Sequence, residues 1–317
     1  MTLKIVADRN ILALENWKHP DVDLLLYDGR HICADDVKDA DALLVRSITR
    51  VGASLLAGSN VKFVATATSG TDHIDEVYLQ QQGIEFASAA GANAAAVADY
   101  VMCCLAELTM ETGFSLAGKK VAVIGAGHVG SALLRRLQLT GATCLACDPF
   151  QQICPDVSYV AFDDAIKADV ICLHTPLTRT GEYPTFHLLN AHNLARLSAD
   201  AIVINAGRGE VIDNHALLAH LDQLSGRDTR QRFILDVWEG EPNPDKQLVA
   251  STYLATPHIA GYSVEAKYAA SARILSALCQ HFPLPVPELS VPDTPPVYHV
   301  DNADSEGQSY PESDSAE

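Results

Sequence analysis

Basic residues are scarce in this 317-residue sequence, and they form no cluster. Lysine and arginine total 22 against 40 aspartates and glutamates, which gives a formal net charge of -18 at pH 7. Nucleic-acid-binding domains attract the phosphate backbone with clustered Lys and Arg, so this composition argues against a nucleic-acid partner. A small anionic substrate remains compatible with it, because a few arginines in one site can outweigh the repulsion of the whole surface.

Long apolar runs and a signal peptide are also missing. The start, Met1 to Asp8, reads as a β-strand and lacks the basic first residues and apolar stretch of a signal peptide. The longest apolar run, Ala94 to Leu108, is interrupted by Asp99 and is shorter than a membrane span. These absences predict a cytoplasmic protein that does not enter a membrane.

The 8 cysteines lack the spacing of a disulfide framework, and a chain of this length does not need one. Cys144-x-x-Cys147 could be a redox or metal motif. Such motifs occur in loops or at helix starts, and a zinc site would need a second pair of ligands. Because both cysteines lie in an apolar strand pattern, we expect buried thiols and no metal site.

Short apolar segments alternate with helical or turn segments along two stretches of the chain, divided by a long helix that begins at Ala94 with Asn93 as its cap. The strands predicted in the first stretch are Leu3–Ala7, Asp23–Tyr27, Ala42–Val45, Lys62–Ala67 and Glu85–Ala87. Those predicted in the second are Val121–Gly125, Thr143–Cys147, Asp169–His174, Ala201–Asn205 and Phe233–Val237. Strands and helices alternating at this spacing are typical of doubly wound α/β domains with parallel sheets.

A glycine motif follows the first strand of the second stretch. In Gly125-Ala-Gly127-His-Val-Gly130 the first glycine allows a tight turn, the second lets backbone approach a pyrophosphate, and the third lets helix and strand pack closely. The following helix offers unpaired N–H groups and the positive end of its dipole. Asp148 ends the next strand, where an acid accepts hydrogen bonds from the adenine ribose. Asp148 could instead be a turn residue before Pro149, but its place after a strand, the glycine motif and a helix favours dinucleotide binding. An acid at this position would repel a ribose 2′-phosphate, so NAD is preferred over NADP.

Together these patterns predict a Rossmann domain, 94–257, inserted into a flavodoxin-like substrate-binding domain formed by 1–93 and 258–286. Both are doubly wound parallel-sheet domains, and a last helix from Val264 to Phe282 returns the chain to the first. Residues 287–317 contain prolines and acids but no Lys or Arg. Such a segment cannot bury enough apolar surface to offset its ordering entropy, so we expect a disordered acidic tail.

Three side chains follow later strands, at the edge where open α/β sheets bind ligands. Arg208 stands between two glycines, and its planar guanidinium can bind a carboxylate bidentately; a surface arginine in a loop is the plainer alternative. His258 suits acid–base chemistry when a carboxylate fixes its tautomer and raises its pKa, although a lone histidine is more often structural. Glu241 is the candidate partner, and the sequence leaves open whether the two residues touch.

Three segments resemble signatures of the D-isomer-specific 2-hydroxyacid dehydrogenases, in that family's order and spacing. They are Asn205-Ala-Gly-Arg208-Gly, Leu235-Asp-Val-Trp-Glu-Gly-Glu241-Pro and Thr256-Pro-His258-Ile-Ala-Gly. The resemblance implies that Arg208 binds the substrate carboxylate, that Glu241 orients His258, and that His258 exchanges the proton. It also implies NAD as the cofactor, in a site formed by Gly125, Gly127, His128, Val129, Gly130, Asp148, Thr175, Ala206, Asp236 and Gly261.

Further segments resemble family members that act on a phosphorylated 2-hydroxy acid. They are Leu44-Val-Arg-Ser47-Ile-Thr49, Ala65-Thr-Ala-Thr68-Ser-Gly-Thr-Asp-His-Ile-Asp75, Gly91-Ala-Asn-Ala and the stretch ending in Tyr262-Ser. By this similarity Ser47, Thr68 and Tyr262 contact the substrate. Arg46 is a candidate phosphate partner, with an ordinary salt bridge as the alternative. The implied reaction is the oxidation of 4-phospho-D-erythronate in pyridoxal 5′-phosphate biosynthesis.

Alternatives to this function stay open. The substrate could be 3-phospho-D-glycerate or an unphosphorylated 2-hydroxy acid, and some relatives are NAD-responsive binding proteins that retain the catalytic residues. Family members usually continue into a C-terminal dimerisation domain, whose place the acidic tail takes here. Contacts through the nucleotide-binding domain are therefore the route left open to a homodimer.

Overall fold

Residues 2–224 and 230–289 are described by the structure, a computed structural model. The chain divides into two compact units. One runs over Met1–Asn93 and resumes at Tyr262, and the other is Ala94–Gly261. The predicted acidic tail lies outside the described residues from residue 290 onward.

The regular elements are numbered in chain order. The strands are β1 (Leu3–Asp8), β2 (Val22–Tyr27), β3 (Ala42–Val45), β4 (Phe63–Thr66), β5 (Glu85–Ser88), β6 (Lys120–Ile124), β7 (Thr143–Cys147), β8 (Ser158–Tyr159), β9 (Val170–Leu173), β10 (Ile202–Asn205), β11 (Arg232–Leu235) and β12 (Leu254–Ala255). The helices are α1 (Ala34–Val37), α2 (Ala53–Leu56), α3 (Glu76–Gln82), α4 (Ala94–Thr112), α5 (His128–Leu137), α6 (Phe162–Ala165), α7 (Ala191–Leu194), α8 (Asn214–Leu224), α9 (Lys246–Ser251) and α10 (Val264–His281).

The first unit is built on a parallel sheet of order β2-β1-β3-β4-β5. This is the flavodoxin-like order, in which the chain changes direction between β1 and β3. Strand β3 reads Ala-Leu-Leu-Val and is buried on both faces, as expected of a strand with helices packed against each side of its sheet. The change of direction places the ends of β1 and β3 side by side, where such sheets bind ligands.

Helix α10 belongs to the core of this unit. Ala270, Ile274 and Leu278 recur every four residues and form one buried stripe that packs with Ile5 and Phe63 of the sheet. The helix begins at Ser263, whose side-chain oxygen accepts a hydrogen bond from the Ala266 N–H at 3.1 Å. The chain thus returns to the first unit as predicted.

The second unit contains a parallel sheet of order β12-β11-β10-β9-β6-β7-β8. The chain starts at β6, moves outward through β7 and β8, and then continues on the other side with β9, which is the Rossmann arrangement. Strands β6, β9, β10 and β11 are parallel neighbours, so their carboxyl ends share one edge. The glycine loop, Thr175, Arg208 and Asp236 all lie directly beyond that edge. The predicted fold class is confirmed.

The boundary between the units differs from the sequence prediction at its second crossing. His258 falls within the second unit, whereas the sequence placed it at the start of the returning segment. Its backbone N–H donates to the Asp236 carbonyl at 2.7 Å, which ties the segment after β12 to the sheet of the second unit. The pattern of hydrophobic residues does not indicate which backbone groups form hydrogen bonds beyond the end of a strand.

Cys144 and Cys147 both lie in β7, as the apolar pattern predicted. Burial raises the pKa of each thiol, so both are held in the unreactive protonated form at neutral pH. Within the described part of the chain, no helix combines the length and apolar character needed to cross a membrane.

Candidate active site

Gly125 and Gly130 leave no room for a side chain in the loop between β6 and α5. A Cβ on Gly125 would lie 2.7 Å from the backbone carbonyl of His174, and its φ of +90° favours glycine as well. A Cβ on Gly130 would lie 2.0 Å from the Gly125 carbonyl oxygen. The fold itself therefore requires glycine at both positions.

At Gly127, unlike at Gly125 and Gly130, packing within the protein does not require glycine. It is the N-cap of α5 with φ of -67°, and a Cβ there would meet a single described atom within 4 Å, Nε2 of Gln151 at 3.5 Å. Packing does not exclude a side chain at this position, but a ligand approaching the backbone would. The first turn of α5 has exposed His128 and half-buried Val129, and its N–H groups and dipole suit a pyrophosphate.

Asp148 closes the glycine loop from the end of β7. Its Oδ2 accepts the Ala126 N–H at 2.9 Å, and its Oδ1 accepts the Phe150 N–H at 3.0 Å. The carboxylate therefore forms the turn that the sequence offered as the plainer explanation. It is also fixed against the glycine loop, the position from which an acid can reach the ribose hydroxyls of a dinucleotide.

Thr175 follows β9 and has a buried hydroxyl for which the described residues provide no hydrogen-bond partner. The two ring nitrogens of His174 are buried and unpartnered within the same residues. Burial lowers the pKa of His174 to about 4, so its ring is neutral at pH 7. Buried polar groups are normally paired, so the Thr175 hydroxyl fits a site completed by a ligand.

The Arg208 loop follows β10 and is shaped by Asn205. The side chain of Asn205 accepts the Gly207 N–H at 3.1 Å and donates to the Arg208 carbonyl at 2.9 Å. Half-buried Ala206 lies within this turn. The next residue, Gly209, packs so closely that a Cβ would lie 2.0 Å from the Trp238 carbonyl carbon. The special backbone shape suggested by the glycines around Arg208 is present.

Glu241 and His258 are in contact. Oε2 of Glu241 lies 2.7 Å from Nδ1 of His258, and Oε1 of Glu241 accepts the Trp238 N–H at 2.8 Å. The structure thus selects one of the three acids between Leu235 and Pro242. With Nδ1 bound to Glu241, Nε2 is the ring nitrogen of His258 that could exchange a proton with a ligand.

Asp236 has a different place in the site, since it is 1% exposed. Its carboxylate accepts the Thr256 hydroxyl at 2.6 Å and the backbone N–H groups of Ile259 and Ala260 at 2.8 and 2.9 Å. Asp236 therefore organises the segment that runs to Gly261 and presents His258, which has a left-handed φ of 57°. Such a conformation persists only where the surroundings fix it.

The electrostatics of His258 favour its protonated form. The hydrogen bond that His258 donates to Glu241 raises the pKa of His258 most strongly, burial opposes this, and the charges of Glu241 and Asp236 raise the pKa further. Arg208 lowers the pKa of His258, so the two side chains are electrostatically coupled. The second unit therefore contains a histidine, a carboxylate in contact with its Nδ1, and an arginine that acts on it electrostatically.

Ser47, Thr68 and Tyr262 belong to the first unit. Ser47 is exposed just beyond β3, and Thr68 follows the neighbouring β4. The Thr68 hydroxyl contacts the Thr66 hydroxyl at 2.7 Å and the Gly70 carbonyl at 2.9 Å. Tyr262 is 49% exposed, and the Lys267 ammonium lies 3.7 Å from its ring centre.

Arg46 forms an ion pair where the first sheet changes direction. Its Nε lies 3.0 Å from Oδ2 of Asp8, which is 0% exposed at the end of β1. A Cβ on Gly29 would lie 2.2 Å from that same oxygen, so the carboxylate is closely packed. The sequence offered a salt bridge as one alternative for Arg46, and this salt bridge is present. It fixes the guanidinium at the edge where sheets of this type bind ligands.

The backbone donor that orients Glu241 was missed by sequence reasoning. The Trp238 N–H reaches Glu241 because the chain turns at Gly240, whose φ is +80°. The Gly240-Glu241-Pro242 sequence is a turn signal that could have indicated this arrangement.

Comparisons with known proteins identify relatives of this chain. The family model described as D-isomer specific 2-hydroxyacid dehydrogenase, NAD binding domain, matches residues 105–260. A Marinobacter nauticus protein named erythronate-4-phosphate dehydrogenase is 46% identical over 286 residues, or 89% of this chain and 73% of that protein. A Pseudomonas putida protein of the same name is 46% identical over 277 residues, or 87% of this chain and 72% of that protein.

Solved structures share the fold at lower identity. A structure of D-2-hydroxyisocaproate dehydrogenase has a TM-score of 0.71 at 22% identity, covering 89% of this chain and 97% of that chain. D-lactate dehydrogenase of Aquifex aeolicus, complexed with NAD and lactic acid, has a TM-score of 0.68 at 21% identity, covering 88% and 95%.

Proposed function

Because the chain belongs to the D-isomer specific 2-hydroxyacid dehydrogenase family, with NAD as cofactor, we propose that it oxidises 4-phospho-D-erythronate at C2. The product of this reaction is (R)-3-hydroxy-2-oxo-4-phosphobutanoate, and its place is the biosynthesis of pyridoxal 5′-phosphate. The names of the similar proteins from Marinobacter nauticus and Pseudomonas putida support this substrate.

The contact between Glu241 and His258 is the observation that carries the mechanism. Oxidation of a 2-hydroxy acid requires a base at the C2 hydroxyl, and Nε2 of His258 is the nitrogen available for that proton. Glu241, 2.7 Å from Nδ1, fixes the tautomer and stabilises the imidazolium once the proton has arrived. NAD, when bound, accepts the hydride that leaves C2.

Arg208 would bind the carboxylate of the substrate. A guanidinium can hold a carboxylate through two parallel hydrogen bonds, which fixes the C1–C2 bond and lets the same charge polarise the C2 oxygen. The Asn205 contacts fix the backbone from which Arg208 extends. A positioned substrate is what makes proton transfer to one nitrogen effective.

For the substrate phosphate we propose contacts with Arg46, Ser47 and Thr68, which belong to the first unit. Arg46 supplies the positive charge, and the Ser47 and Thr68 hydroxyls offer neutral hydrogen bonds at neighbouring strand ends. Asp8 anchors Arg46 through Nε, so the orientation of the guanidinium is set before a ligand arrives. Tyr262 would contribute a further hydroxyl contact.

The residues around the glycine loop fit NAD on structural grounds. Gly125 and Gly130 let the loop pack closely against its own backbone, and Gly127 leaves the N-terminus of α5 open to the close approach of a pyrophosphate. Asp148 would accept the ribose hydroxyls and repel a 2′-phosphate, which favours NAD over NADP. The Thr175 hydroxyl, which has no hydrogen-bond partner among the described residues, offers one more hydrogen bond to the cofactor.

The direct experiment follows NADH formation spectrophotometrically with NAD and four compounds: 4-phospho-D-erythronate, D-erythronate, 3-phospho-D-glycerate and D-lactate. We expect kcat/KM to be highest for 4-phospho-D-erythronate, with a large loss for D-erythronate because Arg46 then has no phosphate to bind. Preference for 3-phospho-D-glycerate or D-lactate would contradict the proposed substrate. Binding of NAD without any turnover would favour an NAD-responsive binding protein.

A further inference from the structure

The turn that carries Glu241 is also bound on its opposite side, through Glu239. Oε2 of Glu239 accepts the Asn214 N–H at 3.2 Å, and the Glu239 N–H donates to Oδ1 of Asn214 at 3.2 Å. This reciprocal pair fixes both the backbone and the side chain of Glu239. The turn is therefore held at two positions, two residues apart.

His187 adds the next contact. Its Nε2 lies 3.0 Å from Oε1 of Glu239, and its Nδ1 lies 3.5 Å from Oδ2 of Asp213. His187 has a left-handed φ of 52°, a conformation that a non-glycine residue keeps only when its surroundings hold it. Its backbone N–H donates to the Glu210 carbonyl at 2.8 Å, so both backbone and ring are bound.

These contacts reach the Arg208 loop as well. Asn214 lies at the end of the segment that follows Arg208, and its Nδ2 donates to the Ile212 carbonyl at 2.8 Å. Gly209, at the start of the segment, is packed against the Trp238 backbone. A movement of Glu239 would consequently displace the turn of Glu241 and the loop of Arg208 together.

We propose that Glu239 and His187 are positioning residues that hold Glu241 against His258 and keep the Arg208 loop in place. Asn214, which is hydrogen-bonded to Glu239, belongs to the same group of contacts. The link to catalysis rests on the proposed function, since it assumes that His258 is the proton acceptor. The structural effect on His258 does not depend on the substrate.

A metal ion is the competing explanation for part of this cluster. One ligand atom each from His187, Asp213 and Glu239 can be chosen so that all lie within 4.8 Å of one another. The two carboxylates, however, face opposite nitrogens of the same ring, whereas a metal ion takes one nitrogen of a histidine. Hydrogen bonding therefore accounts for the arrangement better, and zinc binding is an outcome to be tested.

The test measures the pKa of His258 by NMR titration of its ring C–H, assigned with H258Q. We expect E239A to lower this pKa toward its ordinary value of 6.5, because Glu241 no longer stays against Nδ1. E239Q should stay close to wild type, since glutamine can accept the Asn214 N–H and donate to His187. D200A removes an exposed acid of the same unit and serves as the control.

Equal shifts in E239A and E239Q would mean that Glu239 acts through its charge, which would overturn the proposal, as would an unchanged pKa in E239A. If E239A fails to fold, H187A provides the same test, because it removes the His187 contact with Glu239 and leaves the Asn214–Glu239 pair in place. Zinc binding to the wild type that H187A abolishes would also overturn it. If the wild type shows no turnover, the proposed function is refuted, but the titration of His258 still tests the positioning role of Glu239.

The kinetic counterpart is a double-mutant cycle. We expect E239A to reduce kcat roughly tenfold to a hundredfold, as small misplacements of catalytic groups do, with little change in the KM for NAD. In an E241A background the same substitution should have a clearly smaller effect on kcat, because only its effect through the Arg208 loop remains. Fully additive effects would overturn the positioning role.

Discussion

Oε2 of Glu241 lies 2.7 Å from Nδ1 of His258, and Oε1 of the same carboxylate accepts the Trp238 N–H at 2.8 Å. One carboxylate is thus bound by a backbone donor on one oxygen and binds the histidine with the other. This arrangement directs Nε2 of His258 away from Glu241. The proposed proton transfer to Nε2 depends on this orientation of the ring.

Replacing the proposed base should abolish most of the activity. We expect H258Q to lower kcat roughly a hundredfold to ten-thousandfold, the usual effect of losing one positioned acid–base group. NAD affinity, measured by fluorescence titration, should remain close to wild type. H192Q, which changes an exposed histidine on α7, is the matched control. Nearly normal turnover in H258Q would show that another group takes the proton.

The raised pKa of His258 predicts opposite pH dependences in the two directions. Oxidation needs the neutral ring, so its kcat/KM should rise with pH through a pKa above 6.5 and then level off. Reduction of the 2-oxo product needs the protonated ring and should decline over the same range. E241Q removes the main cause of the shift, so its profile should move to lower pH. If the pH profile of E241Q does not move, the raised pKa of His258 has a cause other than Glu241.

The glycines of the cofactor loop should respond differently to the same substitution. G130A places a Cβ 2.0 Å from the Gly125 carbonyl, so we expect a loss of stability of roughly 1–3 kcal/mol by thermal or urea unfolding. G127A meets ordinary packing distances and should keep the stability of the wild type. It should nevertheless weaken NAD binding, because its methyl group occupies the space of the pyrophosphate. Unchanged NAD affinity in G127A would place the pyrophosphate elsewhere.

The charge of Asp148 should set the choice between NAD and NADP. The single amide oxygen of asparagine can still accept the Ala126 N–H, so D148N should keep that contact with the glycine loop, lose the contact with the Phe150 N–H, and remove the charge that repels a 2′-phosphate. We expect the ratio of kcat/KM for NAD to that for NADP to decrease at least roughly tenfold, which corresponds to about 1.4 kcal/mol. A ratio equal to that of wild type would assign the selectivity to another residue.

Burial of His174 predicts an acid-sensitive fold. Its pKa is lowered to about 4, whereas the unfolded chain protonates this side chain near 6.5. Between these values the unfolded state binds a proton that the folded state does not, so stability should decrease as pH falls from about 6.5 to about 4. Comparing urea unfolding of the wild type and H174Q at pH 7 and pH 5 checks this. An equal pH dependence in both proteins would exclude His174 as the cause.

Much of the fold could be predicted because buried parallel strands are short apolar runs with turn residues at each end. The prediction of Thr143–Cys147 agrees with β7, and that of Ala42–Val45 agrees with β3. The two-residue strands β8 and β12 were missed, because pairing with the sheet edge defines them and their sequences carry no period. The four-residue helices α1 and α2 could not be told from turns, because so short a segment shows no helical periodicity.

The candidate site was predictable wherever a side chain occurs in a motif, as with Arg208 and His258. The supporting contacts were not, since they depend on backbone groups brought together by the fold. The Trp238 N–H reaches Glu241 only through the turn at Gly240, and Glu239 meets His187 across 52 positions of sequence. Sequence patterns record side-chain types, but they do not record which backbone donors will face them.

In the proposed reaction, hydride leaves C2 of 4-phospho-D-erythronate for NAD while His258 takes the hydroxyl proton. The most direct measurement uses substrate deuterated at C2 and analyses the reduced cofactor by mass spectrometry. The account predicts one deuterium in the reduced cofactor from the wild type, and in H258Q the same label at a strongly reduced rate. Unlabelled NADH, or no reduced cofactor with this substrate, would contradict it.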